Sequence, residues 1–304
     1  MTDERTVKKF ASSLRGGVMT GEPLSGHTTF RIGGPARLMI LPADADDLMA
    51  GLELCAEGGI PYFILGNGSN LVFPDEGFPG AVFKMRSLNR AAVEGARVRA
   101  GAGAMLPRLA RLAMRNSLGG LEFAAGIPGT AGGAVVMNAG DSDGATGDLV
   151  EEVRVLEGGT QKTLRRADLA FAYRHSAFRK RKGAVAVEVV LELRQERDPA
   201  EIGRRTAEKI RRRRERFPLS LPNAGSVFRN PAGDYAGRLI EAAGCKGMSE
   251  GGAEVSSRHA NFIVNRGGAT GADVAALIKR VQEKVFESSG VLLEPEVELV
   301  RVPV

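Results

Sequence analysis

The stretch Tyr62-Phe63-Ile64-Leu65-Gly66-Asn67-Gly68-Ser69-Asn70-Leu71-Val72-Phe73 lies at the centre of the fold prediction. Its first four residues are apolar and predict a strand, and its last three predict a second extended segment. The turn between them, Gly66 to Asn70, presents consecutive amides that could form a concave nest for an anion. A tight loop without a ligand is the alternative, and for one turn alone it is the favoured interpretation.

The residues before this turn predict a β-α-β unit. Residues 36–41 form a short apolar run that predicts a strand. Asp44 can cap the helix that follows, whose apolar residues share one face and which ends at Gly58-Gly59. The strand that begins at Tyr62 completes the unit.

A second section begins at residue 89. Val93 to Ala100 predicts a strand, and the helix after it carries Leu106 and Leu109 on one face. Residues 153–156 and 184–193 alternate in polarity, which predicts strands of a sheet with one solvated face.

A charge-rich segment from Pro199 to Arg216 predicts a helix at a boundary, and a third section follows it. The elements predicted beyond that helix are a strand at Ser226, a helix from Tyr235 to Ala243, a helix carrying Val274, Leu277, Ile278, Val281 and Val285, and a final strand from Glu296 to Val302. The predicted domains are therefore residues 1–88, 89–198 and 199–304.

The composition is that of an ordinary soluble globular protein, with 43% hydrophobic and 26% charged residues in a chain of 304. The net charge of +6 comes largely from the predicted helix, above all from Arg211 to Arg214. A solvated helix face explains this charge most simply, and attraction of a phosphorylated small molecule is a second explanation. Nucleic-acid binding is disfavoured, because three Tyr and no Trp leave few aromatic side chains for stacking on bases.

Cys55 and Cys245 are far apart and have no metal-ligand spacing, so no metal site is predicted. The first twenty residues contain scattered charges and no apolar signal core, and no run approaches the length of a membrane span. These features predict a location in the reducing cytoplasm.

A second glycine-rich turn is Gly126-Ile127-Pro128-Gly129-Thr130-Ala131-Gly132-Gly133, where backbone can lie against a flat or phosphorylated ligand. Neither turn matches the dinucleotide fingerprint G-x-G-x-x-G opening a helix, and Gly101-Ala102-Gly103 fails that pattern at Leu106. A tight loop is again the alternative for each turn. Two such turns in one chain nevertheless favour a large dinucleotide bound outside the usual motif.

Three segments carry candidate reactive groups: Tyr173-Arg174-His175-Ser176, Gly225-Ser226-Val227-Phe228 and Glu294-Pro295-Glu296. Arg174 could stabilise a ligand oxyanion, or it could form a surface ion pair. Ser226 lacks the G-x-S-x-G motif and a recognisable triad base, so it could donate a proton to a carbanion or simply cap a strand. Glu294 and Glu296 share one face of an extended segment, where both could be surface carboxylates. The three segments could bring a proton donor, a cation and a carboxylate into one cleft.

Taken in order, these segments resemble the motifs of the UDP-N-acetylenolpyruvoylglucosamine reductase family, flavoenzymes of bacterial peptidoglycan precursor synthesis. The resemblance extends from Thr28 to Val300. The motifs that carry it are Thr29-Phe30-Arg31-Ile32-Gly33-Gly34-Pro35, Leu65 to Leu71, Glu122 to Gly129, Tyr173-Arg174, Ala224 to Phe228, Lys246-Gly247, Gly251-Gly252-Ala253 and Leu293 to Val297.

The resemblance implies an α+β fold of the vanillyl-alcohol-oxidase and p-cresol-methylhydroxylase type. Two FAD-clasping subdomains would be joined to an α/β substrate-binding domain, and FAD would lie along both glycine turns. The cofactor contacts that it implies are Arg31, Gly66, Asn67, Gly68, Ser69, Asn70, Gly126, Ile127, Pro128, Gly129, Thr130, Gly132 and Gly133.

The resemblance also implies a reaction. NADPH would reduce the bound flavin and leave, and the enolpyruvyl ether of UDP-N-acetylglucosamine would then accept the hydride. Arg174 and Glu296 would stabilise an enol-like intermediate, and Ser226 would protonate it to give UDP-N-acetylmuramate. The residues at substrate-contacting positions are Tyr173, Asn230, Lys246 and His259, of which Lys246 suits a diphosphate best.

The family has a longer form in which an insertion lays a tyrosine over the substrate. Residues 244–252 contain no such insertion, so the chain resembles the shorter form. His259 stands where the longer form has an amide side chain. NADPH and the UDP-sugar are the implied partners of a cytoplasmic monomer that binds neither nucleic acid nor membrane. Another FAD oxidoreductase of this fold, acting on an alcohol or sugar, is the alternative, and a nucleic-acid binder is a third hypothesis.

Overall fold

The computed structural model describes residues 4–181, 183–196 and 198–301, and it shows a mixed α and β chain. Its α-helices are α1 Glu4–Ser13, α2 Ala45–Glu57, α3 Leu106–Arg115, α4 Ala131–Met137, α5 Thr146–Leu149, α6 Pro199–Arg216, α7 Ala236–Ala242 and α8 Gly271–Ser289. Short 3₁₀ helices are Leu24–His27, Met85–Ser87, Glu122–Gly126, Arg166–Leu169 and Ala177–Arg179.

The β-strands are mostly short, and the longer ones lie in two sheets. They are β1 Gly17–Pro23, β2 Pro35–Leu41, β3 Tyr62–Leu65, β4 Leu71–Val72, β5 Phe78–Lys84, β6 Ala91–Glu94, β7 Arg97–Gly101, β8 Leu118–Gly119, β9 Gly140–Asp141, β10 Gly144–Ala145, β11 Val150–Glu157, β12 Thr160–Arg165, β13 Val185–Glu192, β14 Arg194–Gln195, β15 Ser249–Glu250, β16 Ala253–Val255, β17 Ile263–Asn265 and β18 Glu298–Leu299.

The chain divides into two compact units that do not follow one another in sequence. Unit 1 comprises residues 1–20, 38–67 and 80–213, and unit 2 comprises residues 21–37, 68–79 and 214–304. One border falls between Asn67 and Gly68, inside the first glycine turn, and another falls in the last turn of α6. The predicted division into residues 1–88, 89–198 and 199–304 stays a prediction.

Unit 1 is built on two sheets. One has the strand order β12-β11-β13-β7-β6 with antiparallel neighbours throughout. The other, whose strands lie largely in this unit, has the order β1-β2-β5-β3, with β3 parallel to β5. The predicted β-α-β unit is confirmed as β2, α2 and β3, and Asp44 caps α2 by accepting from the amide of Asp47 at 3.0 Å.

Two sequence predictions in unit 1 are wrong in detail. The strand predicted from Val93 to Ala100 is a hairpin of β6 and β7, because Gly95 takes the left-handed conformation with φ +64° and reverses the chain. The solvated face predicted for residues 184–193 does not exist on β13, which is buried between two cores. Val185 and Val187 join the core around Phe83, whereas Val189 joins the core around Leu109.

The change of face along β13 has a local cause. The register with β11 shifts between Glu188, opposite Arg154, and Ala186, opposite Val155, which leaves Val187 as an extra residue. Such a bulge reverses the direction of the side chains that follow it. The odd-numbered residues of β13 therefore face one core before the bulge and the other core after it.

Unit 2 has one core, formed where α7 and α8 pack with β16 and β17. Thr270 and Asp273 form a capping box at the start of α8, and Gly290 ends the helix with φ +71°. The two helices predicted in this section are confirmed. The last strand is shorter than predicted, since β18 covers only Glu298–Leu299, and Val302 lies outside the described residues.

Candidate functional site

The two glycine turns meet in unit 1, as the dinucleotide hypothesis requires. The side-chain amide of Asn67 donates to the carbonyl of Pro128 at 2.6 Å. A Cβ on Gly66 would lie 2.6 Å from Oγ1 of Thr130, so no side chain fits there without a shift. Thr130 is buried and caps α4 by accepting from the amide of Gly133 at 3.3 Å. The turns therefore form one backbone surface, along which Pro128 and Gly133 are exposed.

Sequence reasoning overlooked a lysine beside this surface. Lys84 is the register partner of Leu65 in the parallel pair β3–β5, at the carboxyl end where the first turn begins. Ligands of such sheets bind at the carboxyl ends of strands. Burial, with a smaller effect from Arg86, lowers the pKa of Lys84 to about 8. A cation with this pKa next to the turn fits an anionic cofactor better than an empty loop.

The Arg174 turn lies at the other end of α4. Ala172 and His175 exchange backbone hydrogen bonds of 3.1 and 3.0 Å around Tyr173 and Arg174. Arg174 itself is left-handed, with φ +51°, which costs a non-glycine residue free energy. The buried Asn138 supports the turn by donating to the carbonyl of Ala172 at 2.8 Å. Strain at a predicted catalytic arginine suggests that its placement matters for function.

The guanidinium of Arg174 is partly buried and has defined neighbours. Its Nη2 donates to the carbonyl of Gly140 at 3.0 Å. Its Cζ lies 5.3 Å from the ring centre of Tyr173, a predicted substrate contact whose side chain is exposed. An arginine held in this way carries a permanent positive charge that can attract an anion.

The basic helix α6 is only partly the solvated face predicted from sequence. Arg211 and Arg212 are exposed and pair with Glu208. Arg213 is different, because its aliphatic Cδ lies only 2.6 Å from where a Cβ on Gly126 would be. Burial, followed by opposing effects of Asp141 and Arg174, lowers the pKa of Arg213. The helix therefore brings a second partly buried arginine to the glycine turn and to Arg174.

In unit 2, Ser226 lies on an irregular segment and not in the predicted strand. Gly225 has φ +77°, a conformation that interrupts regular pairing. Its amide donates to the side-chain oxygen of Asn223 at 2.9 Å. Ser226 is partly buried, and the backbone beyond it is held by Asn261. The Asn261 side chain accepts from the amide of Phe228 at 2.9 Å and donates to its carbonyl at 2.8 Å.

The structure brings the Ser226 segment together with the Glu296 segment. The amide of Glu296 donates to the carbonyl of Val227 at 2.7 Å, and Phe228 bridges to Pro295. Glu296 is partly buried, whereas Glu294 is exposed and pairs with Arg229 at 3.1 Å. The two carboxylates therefore differ in burial and pairing, and the catalytic role of Glu296 stays a prediction. That Arg174 joins Ser226 and Glu296 stays a prediction, since it belongs to the other unit.

The first glycine turn also supports this part of unit 2. The side-chain amide of Asn70 donates to the carbonyl of Glu296 at 3.0 Å. The carbonyl of Gly68 accepts from the amide of Thr29 at 3.1 Å, and a Cβ on Gly225 would lie 4.0 Å from the carbonyl oxygen of Ser69. Arg31, two residues after Thr29, is exposed and has φ +57°.

The predicted substrate contacts of unit 2 differ in their surroundings. Asn230 accepts from the amide of Ala236 at 3.0 Å and so begins α7, and Lys246 pairs with Glu241 at 2.6 Å. His259 packs against Phe217 and Phe262, with ring centres 5.1 and 5.2 Å away. Burial, then Arg216 and Lys246, lowers the pKa of His259 to about 4. His259 is therefore a neutral ring near two cations at neutral pH.

Residues 4–181, 183–196 and 198–301 contain neither a metal-binding cluster of side chains nor a helix that could span a membrane. No group of three or more His, Cys, Asp or Glu side chains in these ranges is arranged to hold a metal ion. None of the helices described there is long and apolar enough to cross a membrane.

Comparison with known proteins gives a family match for each of two regions of the chain. The family model of the UDP-N-acetylenolpyruvoylglucosamine reductase C-terminal domain matches residues 217–300, and that of an FAD binding domain matches residues 36–165. The UDP-N-acetylenolpyruvoylglucosamine reductase of Moorella thermoacetica is 52% identical over 93% of each chain. That of Heliobacterium modesticaldum is 48% identical over 97% of this chain and 94% of its own.

A solved structure agrees with these sequence matches. The crystal structure of the UDP-N-acetylenolpyruvylglucosamine reductase from Thermus caldophilus superposes with a TM-score of 0.81 at 37% identity. The superposition covers 95% of this chain and 100% of that one. The predicted α+β class with an FAD-binding fold is confirmed.

Proposed function

Because the chain belongs to the UDP-N-acetylenolpyruvoylglucosamine reductase family, we propose that it reduces UDP-N-acetylglucosamine enolpyruvate to UDP-N-acetylmuramate with NADPH as the reductant. The observation that supports the proposal best is the backbone pairing of Val227 with Glu296, which joins the segments that carry Ser226 and Glu296. Neither Ser226 nor Glu296 lies in a nucleophile motif, and donation of a proton to carbon does not require such a motif.

The glycine surface of unit 1 fits FAD. Gly66 and Gly126 pack so closely on Thr130 and Arg213 that the backbone itself forms the contact surface. Backbone amides and the buried cation Lys84 suit a pyrophosphate, and the small residues leave room for a flat ring. The proposed cofactor contacts are those given by the two turns, together with Arg31. When bound, FAD would take up the hydride of NADPH and supply it to the methylene carbon of the enolpyruvyl group.

The side chains of the chain would manage the charge that hydride addition creates. The new C–H bond at the methylene carbon pushes an electron pair toward the substrate carboxylate. Arg174 would stabilise the resulting negative charge, because its guanidinium is always protonated. Glu296 would do so in its protonated form, since a carboxylate can only accept hydrogen bonds. Ser226 would then give its hydroxyl proton to the adjacent carbon and regain a proton from water.

The remaining substrate contacts would bind the nucleotide part. We assign Lys246 to the diphosphate, because it is a flexible point charge near the half-buried ring of His259. Tyr173 and Asn230 would complete the set. We also propose that the protein is a cytoplasmic monomer. We propose no nucleic-acid partner for it, because several cations of α6 are already paired with carboxylates of the chain.

An absorption experiment tests the proposed function. The purified chain should show an oxidised flavin spectrum that bleaches with NADPH under anaerobic conditions. Addition of UDP-N-acetylglucosamine enolpyruvate should restore the colour and yield UDP-N-acetylmuramate. Steady oxygen consumption with simple alcohols or sugars, and no response to the UDP-sugar, would instead select the alternative oxidoreductase. A colourless protein that binds nucleic acid would contradict both.

The contact between the two glycine turns gives a prediction about cofactor binding. Gly66→Ala should weaken FAD binding about tenfold or more, because the added Cβ forces the turn away from Thr130. The ratio of flavin to protein absorbance after gel filtration measures this. Gly26→Ala is the matched control, since a Cβ there meets no atom within 4 Å and should leave the ratio unchanged.

A further inference from the structure

The anchor of Arg174 is a small hairpin formed by β9 and β10. The carbonyl of Gly140 accepts from the guanidinium of Arg174 at 3.0 Å. Gly140 is the register partner of Ala145, and a Cβ on it would lie 2.3 Å from the carbonyl oxygen of Gly144. The hairpin thus has glycine where the strands approach most closely. Any shift of the hairpin moves the carbonyl that holds Arg174.

An ion pair fixes this hairpin to helix α6. Nζ of Lys209 lies 2.8 Å from Asp141, at the end of β9, and also contacts Asp143 in the hairpin turn. The side chains of Lys209 and Asp141 are only 22% and 31% exposed, so solvent screens the pair less than a surface pair. Burial by itself lowers the pKa of Lys209, but the two carboxylates outweigh it and raise the pKa.

Asp141 also acts on a neighbouring arginine, Arg213. Arg213 lies one helical turn beyond Lys209 on α6, and Arg174 and Asp141 have opposite effects on its pKa. Two arginines close enough to influence each other repel. The same carboxylate therefore pairs with Lys209 and opposes the effect of Arg174 on the pKa of Arg213.

We propose that Lys209 and Asp141 are positioning residues for the reaction, which hold the hairpin β9–β10 so that Arg174 is correctly placed before the substrate binds. This inference rests on the proposed function of Arg174 and adds residues that are not among its proposed cofactor or substrate contacts. Misplacing a catalytic group slightly can lower a rate substantially.

The two half-reactions separate positioning from general damage. In Lys209→Met and Asp141→Asn, reoxidation of the reduced flavin by the UDP-sugar should slow about tenfold, because only this step uses Arg174. Flavin reduction by NADPH should stay within about twofold of the parent. Lys209→Arg should restore the reoxidation rate, since it keeps the charge. In ¹⁵N-arginine-labelled protein, the Nε–H signal of Arg174, assigned by its loss in Arg174→Lys, should broaden in Lys209→Met.

Three outcomes would overturn the inference. The first is an unchanged reoxidation rate, and the second is an equal slowing of both half-reactions. The third is that Lys209→Met slows reoxidation by the same factor in Arg174→Lys as it does in the parent. Arg204→Met is the control, because it breaks an exposed pair with Glu201 on the same helix and should change nothing. Failure of the parent protein to be reoxidised by the UDP-sugar would instead reject the proposed function, so the two failures are distinguishable.

Discussion

The Arg174 turn of unit 1 and the Ser226 segment of unit 2 both support a proposed reactive side chain, and they do so in different ways. Each presents a reactive side chain on irregular backbone, and each is supported by a buried asparagine. Asn138 bridges two separate segments, the carbonyl of Ala172 and the amide of Gly147. Asn261 instead satisfies both backbone groups of one residue, Phe228.

The backbone strain differs as well. At the cation, the left-handed residue is Arg174 itself, and its guanidinium is anchored to a carbonyl. At the hydroxyl, the left-handed residue is the neighbouring Gly225, which adopts this conformation without a steric penalty. The cation is therefore fixed before the reaction, whereas the hydroxyl sits on relaxed backbone. A charge-stabilising group gains most from being fixed in advance, because no reorganisation is then needed during the reaction.

The largest effect is expected at the hydroxyl. Ser226→Ala removes the proposed proton donor and should slow product formation by about 10² to 10⁴, the usual range for general acid catalysis. The flavin spectrum and the rate of its reduction by NADPH should stay as in the parent. Stopped-flow absorbance follows both half-reactions. Product formation at the parental rate would show that another group donates the proton.

A smaller effect is expected at the cation. Arg174→Lys keeps the positive charge but loses the planar donor array, and it should slow flavin reoxidation about 10²-fold. Arg179→Lys provides the control, since Arg179 is an exposed arginine five residues away. If Arg174→Lys reoxidises as fast as the parent, a point charge is sufficient and the anchoring on Gly140 has no catalytic purpose.

The sequence predicts the local parts of this comparison and misses the long-range parts. Asp44, the apolar face of α2 and the capping box at Thr270 act within a few residues, so their helices were predictable. The positive φ of Arg174 cannot be predicted from the residue types in the sequence around it. Lys209 and Asp141 are 68 residues apart, so their contact depends on the tertiary fold.

Some residues of the candidate site are likewise visible in the sequence, and others can be found only from the fold. The glycine turns and the motifs around Arg174, Ser226 and Glu296 were visible as residue patterns. Asn138 and Asn261 were not, because a buried asparagine that satisfies backbone groups resembles any loop asparagine in sequence. Lys84 lies within an apolar strand, and only the parallel pairing with β3 places it beside the first glycine turn.

The supporting asparagines give the third prediction. Asn261→Ala should lower the free energy of unfolding by about 2 kcal/mol, because it leaves a buried N–H and a buried carbonyl without partners. Asn138→Ala should cost a similar amount, since its groups are also buried and Asn tolerates the left-handed φ of +45° better than Ala. Urea unfolding followed by circular dichroism measures both. Asn116→Ala, on the exposed end of α3, should change the stability by less than about 0.5 kcal/mol.

The smallest effect concerns the pH dependence of unit 2. The pKa of His259 falls to about 4 because of burial, then because of Arg216 and Lys246, with Glu241 acting in the opposite direction. The unfolded chain, with a His pKa of about 6.5, therefore binds more protons than the folded chain between these two values. The contribution of neutral His259 is fully present above about pH 6.5 and is lost as the pH falls toward 4.

Replacing the imidazole with a ring that does not titrate tests this sign. His259→Phe keeps the packing against Phe217 and Phe262 and should remove part of the loss of stability between pH 6.5 and 4. Because His259 is partly exposed, the difference should be only about 1 kcal/mol. Urea midpoints of both proteins at several pH values measure it, and the carboxylates affect both proteins alike. Parallel pH profiles would mean that His259 titrates normally and that its ring is not shielded from solvent.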